Sequence, residues 1–585
     1  MFNKHVLTAV AGAVVVSVLP VIAADKKKTE ASTETKPSYE MTQPAREDLD
    51  YSMYDQIREE GLKHSHVMEY ASGLMDGIGP RLTGSPNLKR ANEWTREQFT
   101  AMGCANAHLE DWGEFGISWQ QMNTWVRMTA PDTAVFIAQA APWSPATNGP
   151  LNAPAVWMEA KKVEDLDKYK GKLAGKIVLL GEMREVKPVE KPLFTRYDDK
   201  DLARIAEHPL APEHEYDEFI KNITQLLELR EKTKQFLVAE HALAVIVPSR
   251  DGRDNGGSGG TIFDDSTLGW YGYQREHALP LPVAVMAIES YGRVYRLLEA
   301  HVPVSIEMNI DTKTYGDHEH GFDTIAEIPG TDPKLKDEVV MLGGHLDSWA
   351  SATGATDNGA GTVVAMEAMR ILTSLHVKPR RTIRVGLWTG EEQGEFGSQN
   401  YVKQHFGFVP LSTTPEEMKK PEWLRKPAGP LQLKPDQQRV SGYFNVDNGS
   451  GKIRGVYLEE NSAIEPIFEQ WIEPLKDLGV TTLTLRHTGG TDHESFDAVG
   501  IPGFQFIQDP LDYSSRTHHS NMDTYERLQA GDLAQAATVE AIFVYNTAMR
   551  DQMLPRKPLP HPELNDQRSK PLRIMPGAVM EEEMK

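Results

Sequence analysis

Apolar and polar positions along this chain follow two different periods, and regions with each period alternate. From about residue 320, apolar runs of strand length alternate with segments whose apolar positions recur every three or four residues. Val364, Ala368, Ile371 and Leu372, for example, share one helical face. The pattern predicts strands at 339–342, 382–388, 442–446, 453–458, 481–486 and 503–507, and helices at 361–375, 396–406, 464–478 and 530–549. Such alternation is typical of an α/β/α sandwich around a mixed, largely parallel sheet.

The first half of the chain has a different pattern. It predicts helices over Tyr54–Met75, Leu88–Met102 and, in a charged stretch, about 199–241, and short strands at 133–138, 176–180 and 244–247. Gly- and Asp-rich loops, including 251–260, separate these strands. We therefore predict a β-rich module inserted at 131–290 between two parts of the main domain, 49–130 and 291–552.

The N-terminus has the layout of a cleavable secretory signal. Lys4 and His5 precede an apolar run over 6–22, and the small residues Ala23 and Ala24 follow it. The run is at the lower limit of length for a membrane span. We predict a signal peptide over 1–24, a disordered leader over 25–48 and an extended or disordered tail over 553–585. The mature protein is then exported, periplasmic or secreted, without a membrane contact.

Composition narrows the possible partners. The 84 acidic and 62 basic side chains give a net charge of -22, and such a field repels nucleic acid and anionic membranes. The single cysteine, Cys104, excludes an intramolecular disulfide and a zinc site built from several cysteines. No GxSxG elbow of a serine hydrolase is present. Histidines and carboxylates remain as the candidate groups for chemistry.

Five polar segments stand out, and four of them follow predicted strands. They are GGHLDS (343–348), ATDNGAG (355–361), TGEEQG (389–394), NVDNG (445–449) and RTHHSNMDT (516–524). Each has a bland interpretation, such as a helix cap, a turn or an acidic loop. Ligands of α/β sheets bind beyond the carboxyl ends of the strands, however, and there these segments are expected to meet.

Together the segments supply the ligands that a pair of zinc ions requires. Asp357 can bridge two ions, His345 and Asp447 can complete one site, and Glu392 and His519 can complete the other. The remaining groups are Glu391, which can act as general base toward a water that bridges the ions, and Asp347, which can orient the imidazole of His345.

The same segments resemble the family of co-catalytic zinc exopeptidases that includes bacterial leucyl aminopeptidases and plasma glutamate carboxypeptidase. GHLDSW (344–349), EEQG (391–394) and the closing His519SerAsnMetAspThr element carry the resemblance over about 335–530, and IGPRLTGS (78–85) extends it. The resemblance implies the same five ligands, two Zn²⁺ ions and the same base, Glu391. It also implies that the insert at 131–290 is a protease-associated domain.

Two assignments keep a competitor. His518 competes with His519 for the last ligand position, and the spacing to Asp523 favours His519. Asp492 competes with Asp447, but Asp492 is expected to cap the following helix together with Thr491. Tyr513 and Arg516, just before the histidine pair, are candidates for contact with a substrate carbonyl or carboxylate.

These observations predict a secreted, two-zinc exopeptidase, an aminopeptidase or dipeptidase, that hydrolyses short peptides. The resemblance alone implies the preference for a free terminus, and a homodimer is possible. One alternative is a single-zinc glutaminyl cyclase on the same scaffold, which would not need His345 and Asp447 for a second ion. Another is a non-catalytic binding protein that uses the insert as its interaction surface.

Overall fold

The computed structural model describes residues 46–208, 215–264, 268, 271–420 and 422–561. The predicted signal peptide, most of the predicted leader and the tail after residue 561 lie outside these residues. The helices are α1 (Tyr51–Lys63), α2 (Val67–Ala71), α3 (Pro86–Ala101), α4 (Asp199–Ala206), α5 (Glu215–Ala239), α6 (Ile288–Glu299), α7 (Ala360–Ser374), α8 (Phe396–His405), α9 (Glu465–Ile472), α10 (His493–Asp497) and α11 (Ala530–Met549).

The strands form one large sheet and one two-stranded sheet. They are β1 (Ala105–Ala130), β2 (Ala134–Phe136), β3 (Ala138–Ala140), β4 (Leu151–Met158), β5 (Ile177–Leu180), β6 (Ala244–Pro248), β7 (Val283–Met286), β8 (Ser305–Ile328), β9 (Val339–His345), β10 (Thr382–Trp388), β11 (Gly407–Phe408), β12 (Gln432–Leu433), β13 (Val440–Asn445), β14 (Ile453–Tyr457), β15 (Thr482–Thr484) and β16 (Gly503–Gln508). The small sheet pairs β11 with β12.

The C-terminal half contains the predicted mixed, largely parallel sheet. Its strand order is β15-β14-β16-β13-β9-β10-β8. Four of its neighbouring pairs are parallel, and the antiparallel ones are β14–β16 and β10–β8. The predicted fold class is therefore confirmed.

Helices cover both faces of this sheet. Val340 and Leu342 of β9 lie in the same apolar cluster as α7 and α11. Their neighbours Val339 and Met341 lie in a second cluster with Tyr401 of α8 and the aromatic side chains near α10. Because successive residues of a strand point to opposite faces, each face of β9 is buried by helices, which is why its sequence is continuously apolar.

Strands of the predicted insert join the same sheet. Strand β8 pairs with β4, and the order continues β4-β5-β6-β7-β3 with parallel pairing from β4 to β7. The predicted boundary at residue 131 coincides with the end of β1 at Ala130. The insert as a separate protease-associated domain stays a prediction.

The largest element that the sequence did not predict is the antiparallel ribbon of β1 and β8, which pairs Ala105 with Glu327 at one end and Ala130 with Ser305 at the other. Several register shifts, two of them at Gly116, interrupt the ladder. They break the two-residue alternation by which a strand is identified.

Three predicted helices are shorter or divided. The helix over Tyr54–Met75 ends at Lys63 and resumes as α2 followed by a π-helical turn, and the helix at 464–478 ends at Ile472, before a 3₁₀ turn that contains Pro474. Proline has no N–H to continue an α-helix. The charged stretch at 199–241 forms α4 and α5.

The described part of the tail packs on the main domain without regular secondary structure. Leu554 is buried, and its amide donates a hydrogen bond to Ser441 Oγ at 3.1 Å. Arg556 donates to the carbonyl of Val440 at 2.6 Å. Within the described ranges, no helix combines the length and the apolar character that a membrane crossing requires.

Candidate metal centre

The predicted site residues meet at the carboxyl edge of the central sheet. His345 is the last residue of β9, Glu391 and Glu392 follow β10, and Asp447 follows β13. His519 lies in the loop between β16 and α11, and Asp357 lies in a π-helical turn before α7. Strands β9, β10 and β13 are parallel neighbours, so the segments that follow them end side by side.

Asp357 lies between the two histidines. Its Oδ1 is 3.4 Å from His345 Nε2, and its Oδ2 is 3.2 Å from His519 Nε2. Each histidine contacts a second carboxylate: His345 Nε2 is 3.3 Å from Asp447 Oδ1, and His519 Nε2 is 3.0 Å from Glu392 Oε2. The cluster therefore consists of two histidine–carboxylate groups that share one aspartate.

The turn that carries Asp357 is built by its neighbours. Asn358 Oδ1 accepts a hydrogen bond from the amide of Gly361 at 2.8 Å and so caps the start of α7. Its Nδ2 donates to the carbonyl of Val446 at 2.8 Å. The side chain next to Asp357 thus connects α7 to the segment after β13, where Asp447 lies.

The cluster is almost completely buried. His345 and Glu392 are 1% exposed, and Asp447, the most exposed of the five, is 8% exposed. Three carboxylate oxygens, Asp357 Oδ2, Glu392 Oε1 and Asp447 Oδ1, accept no hydrogen bond from the described part of the chain. A buried carboxylate oxygen that accepts no hydrogen bond is costly, so these oxygens are suited to a bound cation.

Burial and mutual repulsion change the pKa values of the acids. Burial and then the charge of Asp357 raise the pKa of Glu392 to about 8. Burial, with the nearby charge of Asp447, raises the pKa of Glu391 well above its usual value. Although burial opposes its charge, Asp357 has a pKa well below the usual value because it contacts His345 and His519.

Glu391 lies at the side of the cluster. Its Oε2 is 3.8 Å from His345 Nε2, farther than the corresponding atoms of Asp357 and Asp447. The side chain is 4% exposed. The carboxylate of Glu391 therefore lies next to the histidine–carboxylate cluster but makes none of its shortest contacts.

Asp347 connects two of the segments. The ring Nδ1 of His345 lies 3.1 Å from the backbone oxygen of Asp347 and 3.6 Å from its Oδ1. The carboxylate accepts hydrogen bonds from the amides of Glu391 and Glu392, both at 3.3 Å, and from Thr83 Oγ1 at 2.8 Å. Asp347 thus contacts His345 and also holds the backbone of the two glutamates.

The two competing residues have different surroundings from the favoured ones. His518 stacks on His519 with 3.8 Å between ring centroids, and its Nε2 is 3.9 Å from Asp357 Oδ2. Asp357, His518 and His519 are thus close enough to hold one ion, as are His345, Asp357 and Asp447. His519 lies closer to Asp357 Oδ2, at 3.2 Å, and also contacts Glu392 Oε2 at 3.0 Å, which favours the buried His519 over the half-buried His518.

Asp492 directly precedes α10, as predicted, but its side chain makes no capping hydrogen bond. Asp492 therefore occupies the predicted N-cap position, but its carboxylate does not bond the first amides of the helix. Burial raises the pKa of Asp492 to about 7. Thr491 Oγ1 accepts a hydrogen bond from Asn445 Nδ2 at 2.9 Å instead of capping the helix.

Tyr513 and Arg516 lie in the π-helical turn that precedes the histidine pair. The ring of Tyr513 is 4.8 Å from the ring of His518. Burial and the charge of Asp357 raise the pKa of Tyr513 well above its usual value, so its hydroxyl is a neutral hydrogen-bond donor. Arg516 is half-buried, and its Nε has no hydrogen-bond partner among the described residues.

A small pocket borders the Asp357, Glu392 and His519 side of the cluster. It is lined by Trp349, Ser351, Ala352, Gly354, Asp357, Glu392, His519, Ser520 and Asp523. The ring of Trp349 is 5.6 Å from that of His519, and its buried Nε1 has no partner in the described ranges.

Three supporting residues were not assigned a role from the sequence. Thr83 bonds Asp347, Asp523 bonds the turn that carries Asp357, and Arg81 bonds the loop after β9. The guanidinium of Arg81 donates to the carbonyls of Leu346, Thr353 and Gly354. The sequence marks these residues only through the IGPRLTGS motif and through the spacing of Asp523 from His519. Neither feature shows which residues they contact.

Comparison with known proteins shows which proteins the chain resembles. Residues 323–544 match the profile of peptidase family M28. Human carboxypeptidase Q is 27% identical over 496 residues, which cover 85% of this chain and 88% of that protein. A peptidase M28 precursor from Shewanella amazonensis, whose crystal structure is known, has a TM-score of 0.58 at 22% identity and covers 87% of this chain and 98% of its own.

A zinc aminopeptidase from Bacillus subtilis has a TM-score of 0.50 at 19% identity, covering 83% of this chain and 96% of its own. The matched segment 323–544 contains the whole histidine–carboxylate cluster. The chain is therefore similar to peptidase family M28 over the segment that holds the cluster, and it is a metallopeptidase.

Proposed function

We propose that the protein is an exported exopeptidase that binds two zinc ions and hydrolyses short peptides next to a free terminus. The observation that carries this proposal is the position of Asp357, with one carboxylate oxygen near each histidine. A single aspartate between two histidine–carboxylate groups is the arrangement that two ions with a shared ligand require.

In this proposal Asp357 is the shared ligand. His345 and Asp447 complete one site, and Glu392 and His519 complete the other. The donor set fits zinc, which takes imidazole nitrogen and carboxylate oxygen, and the three buried oxygens without hydrogen bonds support it. Bound zinc supplies Lewis-acid chemistry, which acidifies water and polarises a carbonyl.

The proposed general base is Glu391. Its carboxylate accepts the proton of the attacking water and later delivers it to the leaving amine. Its buried position next to the cluster supports this role, since a base at the edge of the site stays available for proton transfer. Asp347 acts through its neighbours, because it fixes the backbone of Glu391 and Glu392 and contacts His345.

The substrate class follows from the relatives. One of them is named a carboxypeptidase and another a zinc aminopeptidase, so we infer an exopeptidase and leave the recognised terminus to experiment. Export is inferred from the signal-like residues 1–24. The predicted homodimer stays a prediction.

The function is tested with one dipeptide in three forms: free, N-acetylated and C-amidated. We expect hydrolysis of the free form, loss of hydrolysis with a chelator, and two zinc ions per chain by elemental analysis. If neither the N-acetylated nor the C-amidated form is cleaved, the enzyme needs both free termini. One zinc ion per chain would favour the cyclase, and a zinc-loaded protein that cleaves no peptide would favour a binding protein.

The base is tested with Glu391→Gln. This variant is expected to keep two zinc ions and lose turnover by at least about 100-fold, the scale of general-base catalysis. Glu416→Gln changes an exposed glutamate and serves as the matched control. Full turnover in Glu391→Gln excludes Glu391 as the base.

A further inference from the structure

His519 has an unusual backbone conformation. Its φ is +60°, in the left-handed region, although it is not a glycine. This region costs an L-residue roughly 1–2 kcal/mol, and it persists where surrounding contacts hold the backbone. The backbone carbonyl of His519 accepts a hydrogen bond from the amide of Asp264 at 2.9 Å. One of these contacts therefore comes from the predicted insert.

Asp264 also contacts the loop that follows His345. Its Oδ2 accepts a hydrogen bond from the amide of Ala350 at 2.9 Å. Ala350 lies five residues after His345, and Asp264 is 1% exposed. Asp264 thus connects, through its amide and its carboxylate, the loop that carries His519 with the loop that follows His345.

The residues on either side extend this contact in the manner of a short strand pair. Phe263 and Ser520 form an antiparallel bridge. The amide of Asn521 donates to the carbonyl of Ile262 at 2.9 Å, and Asn521 Oδ1 accepts from the amide of Ile262 at 2.8 Å. The segment 260–264 is therefore held against 519–521 by both backbone and side-chain hydrogen bonds.

Glycines upstream allow the close approach. A Cβ added to Gly252 or Gly256 would lie 2.1 or 1.9 Å from the carbonyl oxygen of Ser515. Neither glycine has a positive φ, so contact with Ser515, rather than backbone freedom, requires glycine here. The Gly-rich stretch 251–260 is thus a packing surface for the turn that leads to the histidine pair.

We propose that Asp264 is a positioning residue for His519, and that the predicted insert supplies one wall of the metal centre. Asp264 acts on the site through the backbone of His519 and Ala350 and does not touch the reacting atoms. The consequence for zinc rests on the proposed function, because it assumes that His519 is a ligand. The insert is then a required part of the active site.

Asp264→Ala and Asp264→Asn test this proposal. Alanine removes the acceptor of the Ala350 amide and frees the segment that holds the His519 carbonyl, whereas asparagine keeps an acceptor oxygen. For Asp264→Ala we expect zinc to fall from two ions toward one per chain and kcat to fall by about tenfold or more, with KM changed less than threefold. Asp264→Asn is expected to keep most of the zinc content and most of the kcat of the wild type.

A readout independent of zinc is hydrogen–deuterium exchange of the metal-free protein. Exchange of the amides in 515–521 is expected to accelerate in Asp264→Ala, and exchange in α9 to stay unchanged. Gly256→Ala is expected to have the same effect through Ser515, and Gly531→Ala, whose Cβ meets nothing within 4 Å, is the matched control. The glycine variant also covers the case in which Asp264→Ala does not fold.

The outcomes separate the two proposals. Wild-type exchange over 515–521 together with wild-type kcat in Asp264→Ala would overturn the positioning role. A wild-type protein that binds no zinc would overturn the proposed function, while faster exchange in the variant would still support the link between Asp264 and the His519 segment.

Discussion

Asp523 accepts a hydrogen bond from the backbone amide of Asp357 at 3.1 Å. The other oxygen of Asp523 accepts from the amide and the hydroxyl of Thr356, at 2.6 and 2.7 Å. Asp523 is 3% exposed, so water does not compete for these donors. Three hydrogen bonds thus fix the turn that presents Asp357 between His345 and His519.

Replacing Asp523 by asparagine is expected to displace Asp357. An amide group has one acceptor oxygen, so it cannot accept from Thr356 and Asp357 with both of its atoms. Loss of a residue that supports a metal ligand typically costs about 10–100-fold in metal affinity or activity, and we expect a decrease in kcat/KM of that size. Zinc competition with a chelator and kcat/KM for a dipeptide measure the effect.

Asp436→Asn is the matched control for this variant, because Asp436 is exposed and its ion pair with Arg439 lies at the surface. It is expected to behave as the wild type. If Asp523→Asn keeps the zinc affinity and activity of the wild type, Asp523 does not determine the position of Asp357.

Thr83 offers a test of the role of Asp347. Its hydroxyl donates to Asp347 Oδ2 at 2.8 Å and is completely buried. Thr83→Val keeps the shape of the side chain and removes the donor, whereas Thr83→Ser keeps the donor. We expect Thr83→Val to lower kcat by about tenfold or more with little change in KM, because Asp347 holds the amides of Glu391 and Glu392.

Steady-state kinetics of both variants measure this effect, and the serine variant is the control for the loss of a methyl group. Equal decreases in kcat for Thr83→Val and Thr83→Ser would assign the effect to packing and not to the hydrogen bond.

The strands that carry the site were predictable because burial on both faces makes β9 continuously apolar and β10 and β13 mostly apolar. Strands β9, β10 and β13 match the predictions to within a few residues. The meeting of His345, Glu392 and Asp447 then follows from a general property of parallel sheets. The recurrence of apolar positions every three or four residues predicted α7 and α11, which are buried over most of their length.

The supports of the site were not predictable in this way. Thr83 and Asp347 are 264 residues apart in the sequence, Asp264 and Ala350 are 86 apart, and Asp523 and Asp357 are 166 apart. Each of these residues acts through hydrogen bonds to a residue far away in the sequence. The periodicity of apolar positions carries no information about such pairs. The β1–β8 ribbon has the same difficulty, since its strands pair across most of the first half of the chain.

A buried ion pair away from the metal centre predicts a dependence of stability on pH. His487 Nδ1 is 2.6 Å from Glu459 Oε2, and His487 Nε2 is 3.1 Å from Glu494 Oε1. His493 also faces Glu459, at 3.4 Å. Although burial opposes both charges, the pKa of Glu459 is lowered to about 2 by the histidines, and the pKa of His487 is raised well above its usual value by Glu459.

The stabilisation by Glu459 is present above its unfolded pKa, about 4.5, and is lost as the pH falls toward 2. The stabilisation by His487 is present below its unfolded pKa, about 6.5, and is lost as the pH rises through its raised pKa. We therefore expect His487→Gln to lower the Tm of the metal-free protein most between about pH 4.5 and 6.5, and less at pH 10.

Thermal unfolding monitored by fluorescence measures this difference. Breaking a buried pair costs about 3–5 kcal/mol, and the cost here is expected to be lower because the His487 side chain is 24% exposed. His208→Gln changes an exposed histidine and is the control. A Tm difference that is the same at pH 5.5 and pH 10 would contradict the assignment.

Glu540 predicts a dependence opposite to that of Glu459. It lies in the buried helix α11, is completely inaccessible, and neither of its oxygens has a hydrogen-bond partner in the described part of the chain. Burial raises the pKa of this carboxyl well above its usual value. The folded protein therefore binds a proton that the unfolded chain releases above about pH 4.5, and stability is lost as the pH rises from there toward the raised pKa.

Glu540→Gln removes this titration and keeps the shape of the side chain. We expect the Tm of the variant to equal that of the wild type near pH 4 and to exceed it at pH 8, with about 1.4 kcal/mol of stability for each unit of pKa shift within that range. Glu93→Gln, an exposed position on α3, is the control. Because the amide also lacks partners, Glu540→Met is expected to stabilise further by about 1–3 kcal/mol. A glutamine variant that is no more stable than the wild type at pH 8 would show that the carboxyl of Glu540 is ionised in the folded protein.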